Sequence, residues 1–216
     1  MELWTTQRFE NDLIVSPFDE QEDRLARKQF TPVDPEVHCN LRVGLEVFVG
    51  GPWRVTAAAM PALLESRGRV VNVASGLAFL TPPFSTAYCM SKRGLVGYSD
   101  ALRAEYGDRV GVTTVYPGYI RAPIHDSAAE SGITLEGAVP AESVGDAART
   151  LARAALGSPV RDLATTRRGT VNYALASRAP RRLMDRVIRG QLRRLARRGH
   201  FEGSPLARDL ATRLLA

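Results

Sequence analysis

The sequence predicts an α/β fold, in which helices flank a parallel β-sheet and a basic helical extension follows at the C-terminus. Valine-rich runs such as Val70 to Val73, with polar residues at their ends, alternate with longer segments of helical apolar spacing. Such alternation requires crossover connections, and these make neighbouring strands parallel. Arginine also becomes the dominant residue beyond Ala176, which predicts a change of structure there.

The first two elements are a helix and a buried strand. Residues Pro52 to Ser66 predict a helix because proline is favoured in a first helical turn. Pro61 lies inside this segment and is expected to bend or break the helix. Gly68 closes it, and the β-branched run Arg69–Ala74 predicts the strand.

A long helix and a second strand come next. Residues Thr86 to Tyr106 have helical apolar spacing, with Gly107 as the residue after the helix. The apolar positions are Leu95, Tyr98, Leu102 and Tyr106. Val110–Tyr116 then predicts a strand.

The last two elements of the sheet domain are a helix and a strand. Ala141–Leu156 predicts a helix whose N-terminus is capped within residues 140–143. Arg168–Leu175 is expected to form the last strand.

The C-terminal extension predicts a basic amphipathic helix, because arginines alternate with aliphatic residues at helical spacing. The arginines are Arg178, Arg181, Arg182, Arg186, Arg189, Arg193, Arg194, Arg197 and Arg198. Two interpretations are open: contact with an anionic lipid surface or nucleic acid, or a helix docked on the domain with its arginines in water. We favour the second, and we do not expect nucleic acid binding because no aromatic residue lies between the arginines.

Composition fits a globular chain of 216 residues with 44% hydrophobic residues and a net charge of +6. The N-terminus lacks the pattern of a signal peptide, so a cytoplasmic location is expected. Cys39 and Cys89 have no metal or redox spacing and are expected to be free thiols. We divide the chain into an atypical N-terminal segment (1–44), a catalytic part (45–176) and a basic tail (177–216).

Tyr88 and Lys92 lie one helical turn apart and therefore share a helix face. A phenol titrates near pH 10, so it acts as an acid or base at neutral pH only when its surroundings adjust its pKa. Ser75, at the end of the first strand, could donate to a substrate oxygen. Together the three residues suit acid-base catalysis of alcohol and carbonyl interconversion, with a hydride from a cofactor.

Four segments of the chain resemble the catalytic half of the short-chain dehydrogenase/reductase family. They are Asn72-Val73-Ala74-Ser75, Tyr88-x-x-x-Lys92, Ser99 to Glu105, and Val115 to Pro123. The resemblance covers about Leu45 to Tyr173 and implies a partial Rossmann-like sheet. It implies an oxidoreductase that binds NAD or NADP and acts on a small alcohol or ketone.

The resemblance also implies roles for individual residues. Ser75 would orient the substrate carbonyl, Tyr88 would be the acid/base, and Lys92 would bind the nicotinamide ribose and lower the pKa of Tyr88. The residues implied for cofactor binding are Asn72, Tyr88, Lys92, Pro117, Gly118 and Ile120. Residues 122–140 would form the substrate loop.

Three features depart from the family pattern. The sequence has no strand followed by a glycine-rich turn, which would bind the cofactor diphosphate. Phe48 stands where the family often has an asparagine of a proton relay, and Ala122 where a threonine often binds the carboxamide. A phenyl ring cannot relay a proton.

Two functions therefore remain open. The first is an active oxidoreductase of this family. The second is a truncated, catalytically inactive relative that acts as an interaction or dimerisation fragment. We expect a homo-oligomer, either through the Tyr88 helix or because the strand before Ser75 lies at an open sheet edge.

Overall fold

The structure, a computed structural model, describes residues 45–83, 85–120, 141–203 and 205–216. A π-helical turn, Glu46–Gly50, leads into the first helix, and a 3₁₀ turn, Gly76–Ala78, follows the first strand. The main elements in chain order are α1 (Gly51–Ser66), β1 (Arg69–Val73), α2 (Thr86–Tyr106), β2 (Gly111–Tyr116), α3 (Val144–Leu156), β3 (Asp162–Ala164), α4 (Arg167–Arg178), α5 (Arg181–Arg197) and α6 (Pro205–Leu215). The predicted α/β class is confirmed.

The three strands form a parallel sheet in the order β1-β2-β3. Gly111 N–H donates to the Gly68 carbonyl and Ala74 N–H donates to the Val115 carbonyl, so even-numbered residues of β1 bond to β2. Within the described residues, the backbone groups of Val71 and Val73 therefore face an open edge. β2 is the central strand and is buried from Val112 onward.

The core lies between the sheet and the pair of helices α1 and α2. Its buried residues are Val70, Leu102, Val110 and Val112, against which Met60, Leu63, Leu64, Tyr98 and Tyr106 pack. Leu95 and Leu102 are 2% and 5% exposed. Both side chains are therefore used within the fold of one chain.

Helix α1 is continuous through Pro61, contrary to the expected break. Met60, Leu63 and Leu64 pack on the core on both sides of the proline, and this packing holds the two halves in one helix. The helix ends at Arg67, which has a left-handed conformation with φ of 49°. Gly68 N–H then donates to the Leu63 carbonyl at 2.8 Å.

By length and composition alone, the helical stretch Glu46–Ser66 could cross a membrane: it has 21 residues and a mean hydropathy of 1.2. A helix that packs on a sheet can have the same properties. Here Leu63 and Leu64 pack on the core, while Val47 and Val55 on the same stretch are 57% and 70% exposed.

The expected last strand at Arg168–Leu175 is wrong, because these residues lie in helix α4. The Thr166 hydroxyl accepts a hydrogen bond from Gly169 N–H at 2.9 Å and so caps the helix. The strand of this region is β3, which has three residues. A strand of three residues is too short to show an alternating pattern.

The basic extension consists of two helices, α5 and α6, that pack on each other. Arg193 Nε donates to the Leu214 carbonyl at 2.9 Å, and Phe201 and Ala207 are buried where the chain turns between the helices. The amphipathic helix predicted from the arginine spacing is confirmed as α5. Helix α4 runs through residue 176, where the sequence placed the domain boundary.

Candidate active site

Ser75 and Tyr88 come together at the carboxyl end of β1. Ser75 follows the strand with an extended backbone, is 8% exposed, and accepts a hydrogen bond from Leu77 N–H at 3.2 Å. Tyr88 lies in the first turn of α2, which begins at Thr86. Because the start of α2 faces the strand end, the Ser75 hydroxyl lies close enough to the Tyr88 phenol to lower its pKa.

Burial raises the pKa of Tyr88, and the neighbouring Ser75 hydroxyl opposes this rise. Burial also lowers the pKa of Lys92. The ammonium of Lys92 lies 5.6 Å from the centre of the Tyr88 ring. The resemblance implies that Lys92 lowers the pKa of Tyr88, whereas the net shift of that pKa is upward here, with burial of the phenol as its largest cause.

Lys92 bonds to the edge strand. Its ammonium donates to the Val73 carbonyl at 3.0 Å, one of the groups on the open edge of β1. The Phe48 ring centre lies 4.4 Å from the same ammonium, and the ring meets the Tyr88 ring edge to face, with centres 6.1 Å apart. Phe48 thus contacts both ionisable residues of the predicted site, as an apolar wall.

Asn72 is buried in the packing between β1 and α2. Its side-chain amide donates to the Ser99 hydroxyl at 2.9 Å, and that hydroxyl donates to the Leu95 carbonyl at 2.8 Å. The predicted cofactor residue therefore joins strand to helix in this structure. It is 5% exposed.

The loop after β2 is held by a carboxylate that sequence reasoning missed. Gly118 N–H donates to Glu142 at 3.0 Å, and the hydroxyl of Thr165 donates to the same carboxylate. A side chain at Gly118 would bring its Cβ against the Glu142 carboxylate, so Glu142 would have to move. The sequence contains a single indication of this role for Glu142, namely its position next to Ser143, which caps the following helix.

Pro117 and Ile120 are half-buried in this loop, whereas the backbone at Gly118 is exposed. The predicted site residues thus lie at the carboxyl ends of two adjacent parallel strands, β1 and β2. The implied substrate loop, residues 122–140, and Ala122 lie outside the described residues.

Three aromatic rings form a second unpredicted cluster beside the strand ends. The rings of Tyr116 and Tyr173 stack with centres 4.3 Å apart, and Phe79 packs against both. The Tyr116 hydroxyl donates to Asp162 at 2.9 Å. Burial raises the pKa of Tyr116, so its phenol stays neutral.

An open groove of about 570 Å³ runs between α1 and the free edge of β1. Val55 and Leu63 form its apolar wall, Val71 and Val73 its strand side, and Lys92 reaches it from α2. The described part of the chain contains no group of three His, Cys, Asp or Glu side chains that could hold a metal ion.

The described residues fit one end of a dinucleotide. The hydroxyl of Tyr88 and the ammonium of Lys92 are donors suited to ribose hydroxyls, and Gly118 is exposed in the loop after the neighbouring strand. For the diphosphate, the described helices that follow a strand begin with Thr86, Val144 and Arg167 and lack a glycine-rich turn before them. The fit is therefore to the nicotinamide and its ribose.

Comparison with known proteins agrees with this geometry. Residues 39–132 match the family model described as short chain dehydrogenase. This range contains Ser75, Tyr88, Lys92 and the residues from Pro117 to Ile120. Human retinol dehydrogenase 5 is 43% identical over 83 residues, which is 37% of this chain and 25% of that protein.

Two solved structures share the fold. A short chain dehydrogenase from Burkholderia cenocepacia in complex with NADP has a TM-score of 0.56 and 24% identity, covering 68% of this chain and 58% of that one. One from Mycobacterium paratuberculosis bound to NAD has a TM-score of 0.51 and 23% identity, covering 57% and 54%. The matched region spans a quarter of the length of the human protein and somewhat more than half of each solved chain.

Proposed function

This chain is a member of the short-chain dehydrogenase/reductase family, and from that premise we propose that it interconverts an alcohol and a carbonyl with NAD or NADP. The observation that carries the proposal is the pairing of Ser75 with Tyr88 at the carboxyl end of β1, with Lys92 one turn further along α2. These are the groups that proton transfer to a carbonyl oxygen needs.

Each residue has a definite part in this proposal. In the reducing direction, Tyr88 gives its proton to the carbonyl oxygen while Ser75 donates a hydrogen bond to that oxygen. Because burial raises the pKa of Tyr88, the phenol carries this proton at neutral pH. The bound nicotinamide supplies or accepts the hydride. Tyr88, Lys92 and the loop from Pro117 to Ile120 would hold the nicotinamide and its ribose.

The test is a fluorescence titration of the purified chain with NADH and NADPH, followed by cofactor oxidation on a panel of small ketones. The key variant is Tyr88→Phe, which keeps the ring and removes the proton. Its matched control is Tyr98→Phe, on the same helix and also half-buried. We expect Tyr88→Phe to lower turnover by about a hundredfold or more, and to weaken cofactor binding much less than that, because Lys92 and the loop from Pro117 to Ile120 remain to hold it. Tyr98→Phe should retain activity.

A second function is favoured by the contacts of Lys92. Its ammonium donates to the Val73 carbonyl and lies over the Phe48 ring. A lysine that only stabilises the fold would make the same contacts. In this case the chain would be a catalytically inactive relative that acts by association with other chains. Absence of cofactor binding at millimolar concentration would contradict the oxidoreductase proposal and favour this second function.

A further inference from the structure

Helix α5 carries a continuous stripe of arginines. Five of them lie on one face, since their spacing of four, three, four and four residues follows the helical repeat. They are Arg182, Arg186, Arg189, Arg193 and Arg197, and all are exposed. From Arg178 to Arg198 the chain has nine arginines and one acidic residue, Asp185.

These charges are not neutralised by the rest of the described chain. Arginines on other helices have carboxylate partners, such as Arg149 with Asp146 and Arg213 with Asp209. Among the described residues, no salt bridge involves an arginine of α5. Like charges this close repel each other, so binding of an anionic surface would relieve the repulsion.

The arginines also frame a small cleft. Gly190 has no side chain, and the space above it, about 370 Å³, is bounded by charged side chains alone. They are Arg193, Arg194, Arg197 and Arg198. Guanidinium groups bind phosphate oxygens through paired hydrogen bonds, so a phosphate group suits this cleft.

Aliphatic side chains lie exposed next to the arginine stripe. Leu183 and Val187 are one turn apart on α5 and are 47% and 50% exposed. On the preceding helix α4, Val171 and Leu175 have the same spacing and are 58% and 62% exposed. Exposed aliphatic residues beside arginines are typical of helices that lie in the interface of a membrane.

We propose that α5 docks on an anionic lipid surface, with its arginines on lipid phosphates and Leu183 and Val187 inserted at the boundary with the acyl chains. This interaction is independent of the oxidoreductase chemistry proposed above. Charge complementarity and the exposed aliphatic residues both favour a lipid. Nucleic acid is disfavoured because α5 has no aromatic residue on which a base could stack.

The experiment is vesicle flotation with the full chain, using phosphatidylcholine vesicles with and without phosphatidylserine, at low and high salt. We expect binding only to the vesicles that contain phosphatidylserine, and a decrease at high salt. The double variant Arg186→Gln/Arg189→Gln should weaken binding by about tenfold or more. Its matched control, Arg109→Gln/Arg153→Gln, removes the same charge from exposed positions elsewhere and should bind like the wild type.

A second double variant, Leu183→Ser/Val187→Ser, distinguishes insertion of the aliphatic side chains into the membrane from binding of α5 by charge alone. It keeps every arginine, so weaker binding at unchanged salt dependence supports insertion of α5. Equal loss of binding in both arginine pairs would show that net charge alone acts, and would overturn the proposal. The proposal would also be overturned if the wild type did not bind vesicles or bound them regardless of phosphatidylserine, or if Leu183→Ser/Val187→Ser bound as well as the wild type. Release of the protein from vesicles by a short DNA duplex at equal phosphate concentration would overturn it as well.

Discussion

The ring of Phe48 lies over the ammonium of Lys92, with 4.4 Å from nitrogen to ring centre. Because the same ammonium donates to the Val73 carbonyl, Lys92 connects α2, the open edge of β1 and the turn before α1. The apolar ring contributes to the desolvation that lowers the pKa of Lys92. Phe48 therefore helps to determine how the charge next to Tyr88 is held.

We expect Phe48 and Lys92 to be energetically coupled. In a double-mutant cycle with Phe48→Leu and Lys92→Met, the coupling should be about 0.5 to 2 kcal/mol, since Leu keeps an apolar contact but has no ring face for the cation. Urea unfolding of the four proteins measures it. A coupling of zero would mean that the contact of ring and ammonium contributes nothing. The same cycle with Val144→Ala in place of Phe48→Leu, on the exposed face of α3, should give no coupling.

Tyr88 should make stability depend on pH above 10. Its pKa is raised in the folded protein, whereas in the unfolded chain it has its ordinary value near 10. The stabilisation by the neutral phenol is therefore complete below pH 10 and is lost as pH rises through the folded value. Above pH 10 the unfolding free energy of the wild type should therefore fall relative to that of Tyr88→Phe, by a total of about 1.4 kcal/mol per unit of difference between the folded and unfolded pKa. A difference that stays constant with pH would contradict the raised pKa. The other buried tyrosines are common to both proteins and cancel.

Arg103 should be the most sensitive charged residue of the sheet domain. Its guanidinium donates to the Val112 carbonyl at 3.0 Å, to the Arg161 carbonyl at 2.8 Å and to Asp100 at 2.6 Å, and so joins α2 to β2 and to the start of β3. Arg103→Lys keeps the charge but cannot reach all these acceptors, and we expect it to cost about 2 to 3 kcal/mol. Thermal and urea unfolding measure this cost.

Arg109→Lys is the control for Arg103→Lys, because Arg109 is exposed and the change should lie within about 0.5 kcal/mol of the wild type. Equal effects of the two substitutions would show that the hydrogen bonds of the Arg103 guanidinium do not contribute to stability.

The open edge of β1 should make the chain associate. Val73 is 39% exposed, and the outward backbone groups of Val71 and the N–H of Val73 can pair with a strand of another chain, although the Val73 carbonyl already accepts from Lys92. Light scattering at micromolar concentration should give a mass above the 23.6 kDa of one chain. Val73→Lys should shift the mass toward the monomer, whereas Val144→Lys, on an exposed helix face, should not. A monodisperse monomer for the wild type would contradict this prediction.

The sequence predicted most of the sheet domain because its elements are long and periodic. The bounds of α2 were predicted at both ends, from Thr86 to Tyr106. Prediction failed where a local preference competed with packing: Pro61 does not break α1, and Arg168–Leu175 is a helix. In the second case the cap that decides the outcome, Thr166, lies just before the segment.

For the candidate site, spacing along the chain was enough to predict that Tyr88 and Lys92 share a face, since both lie on one helix. Contacts between distant segments could not be predicted. Glu142 reaches Gly118 over 24 residues of chain, and Asn72 bonds to Ser99 on another element. These pairs form because the crossover connections bring strand ends and helices together. A local sequence pattern carries no information about that arrangement.

The buried thiol beside Tyr88 makes opening of the first turn of α2 measurable. Cys89 is 3% exposed, and burial raises its pKa. Since only the thiolate reacts with alkylating reagents, Cys89 is protected until the first turn of α2 opens. In a Cys39→Ser background, the rate of alkylation of Cys89 would therefore report how often this turn opens. A ligand bound against Tyr88 would lower that rate.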